Sequence, residues 1–114
     1  MLKGTEKQIK WAQDIINKEM EILDAKIAKE EAYKQHIIET WKRLGHDDVS
    51  ALENETHPDT ERLVAYKKTK AHVENTFEGA DAGKIIETRY KMHDFFVATI
   101  DYFLWEIAEA KEAK

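Results

Sequence analysis

Apolar residues recur at helical steps along almost the whole chain, and the last third shows the pattern most fully. Between Lys84 and Ala110 one seam runs Ile86, Tyr90, His93, Val97, Ile100, Leu104 and Ile107, apolar at every position but His93. Such a stripe fits a helix laid against other helices. A second stripe lies roughly opposite, at Phe95, Ala98, Tyr102 and Trp105, with Glu87, Asp94 and Asp101 as an acidic ridge between the two. A helix that is apolar on two faces needs cover on both.

The first helix starts at a capping signal. Thr5 is placed as N-cap and Gln8 follows three residues on, the spacing at which hydroxyl and amide satisfy each other's backbone N–H groups. Positions 9, 16, 23, 30, 37 and 44 then repeat by sevens, and only Glu30 among them is polar. Lys34 is the other charged intruder and lies one turn from Glu30, close enough to pair. The helix is therefore either continuous with a polar notch or bent near residues 28–33. A continuous helix would be about 58 Å long. Gly45 follows Lys42, Arg43 and Leu44 as a C-terminal cap.

Residues 45–57 form an acidic connector, with one helical turn capped by Asp47 or Asp48. Pro58 suits the first turn of the next helix, whose seam is Leu63, Tyr66, Val73 and Phe77 with Lys70 filling the gap. Gly79 and Gly83 punctuate the junction, and Asp81 caps the last helix. The expected architecture is all-α: a single domain over 1–114, a bundle of three long helices at about 5–44, 58–77 and 82–112. The first helix outruns its neighbours. It folds back, or a second copy covers the overhang; with the second aromatic stripe, this favours a homodimer.

Composition narrows the class. The 114 residues include one proline, four glycines and no cysteine, with 36% charged and 42% hydrophobic. Few breakers favour helix. The absent cysteine rules out disulfides and thiol chemistry and fits a reducing, cytoplasmic setting. No apolar run reaches the roughly 18 residues of a membrane span, and the opening MLKGTEKQIKW lacks the core of a secretory signal. The net charge of −5 is uneven: residues 47–61 hold six acids and no base, while 62–91 hold seven bases against four acids. An acidic chain is a poor general nucleic-acid binder. Arg62, Lys67, Lys68 and Lys70 nevertheless form one local basic cluster, the basis of an alternative reading as a helical nucleic-acid-binding protein.

Catalytic and metal patterns do not assemble. His46 and His57 share the connector with Asp47, Asp48, Glu53 and Glu55 in no metal-motif spacing. His93 reads as a core histidine satisfied by a neighbour, and His36 and His72 as surface residues. No glutamate stands three residues before a histidine, as di-iron carboxylate bundles require. Ser50, the lone serine, has no Gly-x-Ser-x-Gly surround. Gly79-x-x-x-Gly83-Lys84 is one residue short of a phosphate loop. No enzyme, cofactor or metal is expected. The aromatics carry the positive signal: Phe95, Tyr102 and Trp105 are anchors of the kind that dominate interfaces. Together with Asp47, Asp48, Glu53 and Glu55 they form the candidate partner interface of a non-enzymatic protein-interaction module.

The opening Gly4-Thr5-Glu6-Lys7-Gln8-Ile9-Lys10-Trp11-Ala12 resembles a segment, Gly-Thr/Ser-x-Lys-Gln-Ile/Val-x-Trp-Ala, that begins uncharacterised small proteins of phages, plasmids and conjugative elements. The match covers about residues 4–15 and carries no catalytic residue. The resemblance implies a setting, a mobile-element accessory protein. Small acidic helical proteins of that setting bind and block a host protein such as a defence nuclease, anti-CRISPR proteins among them.

Overall fold

A computed structural model describes residues 1–112, and all its regular elements are helical. They are α1 (Glu6–Arg43), α2 (Ser50–Glu53), α3 (Glu61–Phe77), α4 (Ala82–Glu87) and α5 (Met92–Glu112), with 3-10 turns at Pro58–Thr60 and Arg89–Lys91. The all-α bundle of three long helices holds. The last of the three, however, is divided into α4 and α5.

α1 is continuous. Its 38 residues span about 57 Å, which matches the 58 Å long axis of the molecule. Thr5 and Gln8 close the capping box in both directions. At the other end Gly45 adopts φ +89. The His46 N–H reaches Trp41 O at 2.9 Å and the Gly45 N–H reaches Lys42 O at 3.1 Å, the paired bonds of a Schellman cap. The polar notch is filled from α3. Lys67 Nζ lies 3.0 Å from Glu31 and 2.7 Å from Glu55. Lys34 pairs with Glu31 at 3.7 Å rather than with the expected Glu30.

The surplus length of α1 is covered within one chain. Ile37 and Ile38 near its end pack with Val49 and Leu52 of the connector, with Trp41 alongside. His46 and His57 set their rings edge-on to Trp41 at 6.2 and 5.3 Å. The main core lies along the first two-thirds of α1, where Ala12, Ile16 and Leu23 meet Val73, Ala82, Ile85, Met92, Phe96 and Ile100. On α3, Leu63 and Val73 are buried as the seam requires, joined by Thr60 and Thr69. Both threonines hide their hydroxyls by bonding back to backbone carbonyls at 2.8 Å.

The chain's first residues are part of the fold. Leu2 is buried, and Lys3 makes a short parallel bridge with the α3–α4 loop through Lys3 N–H to Ala80 O at 2.9 Å and Ala82 N–H to Lys3 O at 2.8 Å. Gly4, at φ +147, sits where a Cβ would meet Gln8 Oε1 at 2.9 Å and the Ala82 Cβ at 3.3 Å. Three features of the Gly4–Ala12 segment thus have a packing reason: a close approach at Gly4, the Thr5–Gln8 cap, and a fully buried contact at Ala12, while Trp11 stays about half exposed.

Between α4 and α5 the helix stops at Thr88. Its hydroxyl bonds Lys84 O at 2.8 Å, and the Arg89 guanidinium takes Ile86 O at 2.7 Å. The 3-10 turn shifts the phase of the helix. The seam counted through residues 86–107 is only partly buried. Ile100 is buried and Ile86, Leu104 and Ile107 are half-buried, but Tyr90, His93 and Val97 face solvent. The buried face of α5 is instead Met92, Phe96 and Ile100. His93 is no core histidine; its exposed ring pairs with Glu19 at 2.9 Å.

Candidate interaction face

α5 packs against α3 on one flank and α1 on the other, which leaves its outer face uncovered. An open groove of about 650 Å³ runs along the α3 flank, lined by His72, Phe95, Ala98, Thr99, Tyr102, Phe103 and Glu106. Its aromatics form a ladder from core to surface. Phe77 and Phe95 lie 5.6 Å apart, His72 and Phe103 6.0 Å, Phe103 and Tyr102 5.3 Å, and Tyr102 and Trp105 6.0 Å. Exposure grows along it, from the half-buried Phe95 to Tyr102 at 53% and Trp105 at 58%. Phe95, expected to face a partner, is therefore a floor residue held by Phe77 and Phe96.

A second groove of about 280 Å³ joins the end of α5 to the connector, with Glu55, His57, Glu61, Lys68, Ile107 and Lys111 among its walls. Glu106 lines both grooves. The structure thereby brings Glu55 toward the aromatic face, but it leaves Asp47, Asp48 and Glu53 exposed outside either groove. Glu55 is also occupied: it adopts φ +60 at the end of α2 and receives Lys67. The N-cap of α2 is Val49 rather than the expected Asp47 or Asp48; Asp48 sits one residue before it and accepts from the Ser50 N–H and Oγ, and the Ser50 hydroxyl holds its carboxyl below the ordinary carboxylate range. Asp47 and Glu53 remain as free carboxylates of the connector among the described residues.

The basic cluster is largely neutralised in place. Lys67 joins Glu31 and Glu55, Lys68 lies 3.6 Å from Glu106, and Lys70 lies 2.7 Å from Asp24. The Asp24 hydrogen bond raises the Lys70 pKa. Burial pulls Lys67 down, but its bonds to Glu55 and Glu31 outweigh that and its pKa is also raised. Arg62 stands apart, beside Tyr33 and Leu104. Three of the four cations thus already face carboxylates of this chain, and Arg62 lies outside that set.

Reading by sequence missed His72, Phe103 and Glu106. His72 is exposed as expected, yet it lies one turn from Lys68 on the α3 face that α5 borders, a placement visible only once the two helices are docked. Among the described residues no three His, Cys, Asp or Glu side chains converge as a metal site, and no helix is long and apolar enough to cross a membrane. Compared with protein-family models, curated proteins and solved structures, the chain matches none.

Proposed function

We propose that this chain is a non-enzymatic protein-interaction module that engages another protein through the outer face of α5 and the adjoining groove. The observation that carries the reading is the pair Tyr102 and Trp105, tilted against each other with ring centroids 6.0 Å apart and both more than half exposed on α5. Large aromatics left in water beside an apolar groove are the usual anchors of a helix-in-groove interface. Taken with the resemblance of residues 4–12, the reading extends to a cytoplasmic mobile-element accessory protein that binds and blocks a host protein, such as a defence nuclease. The pairing of Lys67, Lys68 and Lys70 with carboxylates of this chain favours the protein-binding reading over the nucleic-acid alternative.

The homodimer expected from the sequence rests on the overhang of α1 and on the aromatic stripe. The connector covers the overhang, so self-association now depends on the stripe alone and competes with a foreign partner for it. Photo-cross-linking separates the uses. With benzoylphenylalanine in place of Tyr102 or Trp105, irradiation in the cells that express the chain should give an adduct with a different protein. An adduct of twice the chain's own mass would assign the face to a second copy. No adduct from either position would refute an interaction role for this face.

A further inference from the structure

On α5, Trp105 lies nine residues from the buried Phe96, about two and a half turns, and so points directly away from the core. One turn to either side stand Asp101 and Glu109, both exposed, and Asp94 continues the same strip. None of the three is paired with a base among the described residues; of the bases described on α5, Lys111 is engaged by Glu61 and His93 by Glu19. The strip is therefore an aromatic pair framed by unneutralised carboxylates. Two other exposed aromatics already hold a cation of this chain: the Arg89 guanidinium lies 5.3 Å from the Trp11 ring and Lys91 Nζ 5.6 Å from the Tyr90 ring. Trp105 and Tyr102 hold none among the described residues.

Resting on the interaction reading above, we infer that this strip takes a basic amphipathic helix of another protein. Its arginine or lysine side chains lie over Trp105 and Tyr102 and reach Asp101 and Glu109, while its apolar residues enter the groove of Ala98 and Phe103. A guanidinium suits such a place because its flat face stacks on indole while its edge donates to carboxylates. A second copy of α5 suits it poorly. Antiparallel pairing that sets Trp105 into the gap at Ala98 of the second copy also sets Asp94 against Glu109 of that copy. Parallel pairing sets each carboxylate against itself.

The test is fluorescence anisotropy of the full chain with a labelled helical peptide of leucine and arginine at amphipathic spacing, and with its counterpart carrying glutamate for arginine. The arginine peptide should bind and the glutamate peptide should not. Trp105→Ala should weaken binding about tenfold or more. Asp101→Asn with Glu109→Gln should weaken it several-fold and flatten its salt dependence, while Trp11→Ala leaves it unchanged. Equal binding by the Trp105→Ala chain would overturn the proposal, because it would mark simple attraction to an acidic protein. A light-scattering dimer abolished by Trp105→Ala would overturn it in favour of a second copy. Absence of arginine-peptide binding despite a cross-link to another protein at position 105 would overturn the basic partner and keep the interaction face. Absence of both would overturn the two together.

Discussion

Gly4→Ala should unfold the molecule more readily than any other single-methyl change on its surface. The added Cβ would lie 2.9 Å from Gln8 Oε1 and 3.3 Å from the Cβ of Ala82. Ala82 is fully buried and cannot retreat, so Gln8 must move, yet its Oε1 is the acceptor for the Thr5 N–H at 3.1 Å. The backbone adds a second cost, since φ +147 lies in territory that residues with a Cβ rarely enter. Holding alanine there costs about 1–3 kcal/mol. Losing half of the capping box adds roughly 1 kcal/mol. The sum, on the order of 2–4 kcal/mol, is a large part of the roughly 5–15 kcal/mol by which such domains are stable. Urea unfolding followed by far-ultraviolet circular dichroism measures it. Gln8→Ala alone should cost about 1 kcal/mol, and the double change should cost less than the two singles together, because one of the clashing atoms is gone. A Gly4→Ala chain within about 0.5 kcal/mol of the parent would show that the Gly4–Ala12 segment is not a folding clasp, and a recognition role for it would then have to be sought.

Other outcomes follow from the same geometry. Leu52→Ala removes the fully buried centre of the small cluster under the connector and should cost about 2–5 kcal/mol, with amide exchange at Thr56 and Thr60 rising first. Glu55→Gly relieves a left-handed glutamate, worth about 1–2 kcal/mol, and forfeits an exposed ion pair with Lys67 worth about 0–1 kcal/mol; the urea midpoint should hold or rise, and a clear fall would mean that the ion pair dominates. The Lys67 hydrogen bond depresses the Glu31 pKa below its ordinary 4.5. A depressed folded pKa gives stability that is present above the ordinary value and lost as pH falls through the folded one. Thermal melts should therefore weaken below about pH 4.5, and Glu31→Gln should flatten that limb; an unchanged acid limb would rule the pair out as its cause. Lys67 and Lys70, both raised, give the opposite sign, with stability lost only as pH climbs above 10.5. A gel-shift titration at low salt should show no duplex binding, and a shift removed by altering Arg62, Lys67, Lys68 and Lys70 would restore the nucleic-acid reading.

Local chemistry was legible in the sequence wherever a signal and its partner lie within one turn. The Thr5–Gln8 box, the Gly45 cap and the Asp81 cap formed where their spacing placed them, and the connector's helical turn formed too, though with Val49 and not Asp47 or Asp48 as its N-cap. What failed did so for want of tertiary information. Whether α1 bends at its polar notch depended on Lys67, which arrives from a different helix. Whether its overhang needed a second copy depended on Val49 and Leu52, two apolar residues in an acidic stretch too short to show a period. The seam of the last helix went wrong for a different reason. Periodicity assumes an unbroken helix, and the turn at Arg89–Lys91 offsets everything before it from everything after. Tyr90 lies in that turn, whereas His93 and Val97 lie inside α5, one position past the buried Met92 and Phe96, where the seam was drawn one residue off the face that packs; the second stripe, counted within α5 alone, kept its register.

That surviving stripe leaves a specific energetic problem. Tyrosine and tryptophan each bury about 150–250 Å² when covered, and here both are more than half exposed. Covering the remainder would contribute roughly 4–7 kcal/mol at about 25 cal/mol per Å², before the costs of association. No other helix of this chain is free to supply that cover: α1, α3 and α4 are already committed to the core on the far side of α5. On the interaction reading proposed above, the cover comes from another molecule, and the carboxylates select which one. Asp101 and Glu109 sit where any like-charged helix, this chain's own α5 included, would bring charge against charge as it approached. The same two residues would become hydrogen-bond acceptors for an arginine. On that reading, one arrangement would both keep the exposed aromatics from pairing with themselves and select the charge of the partner that can use them.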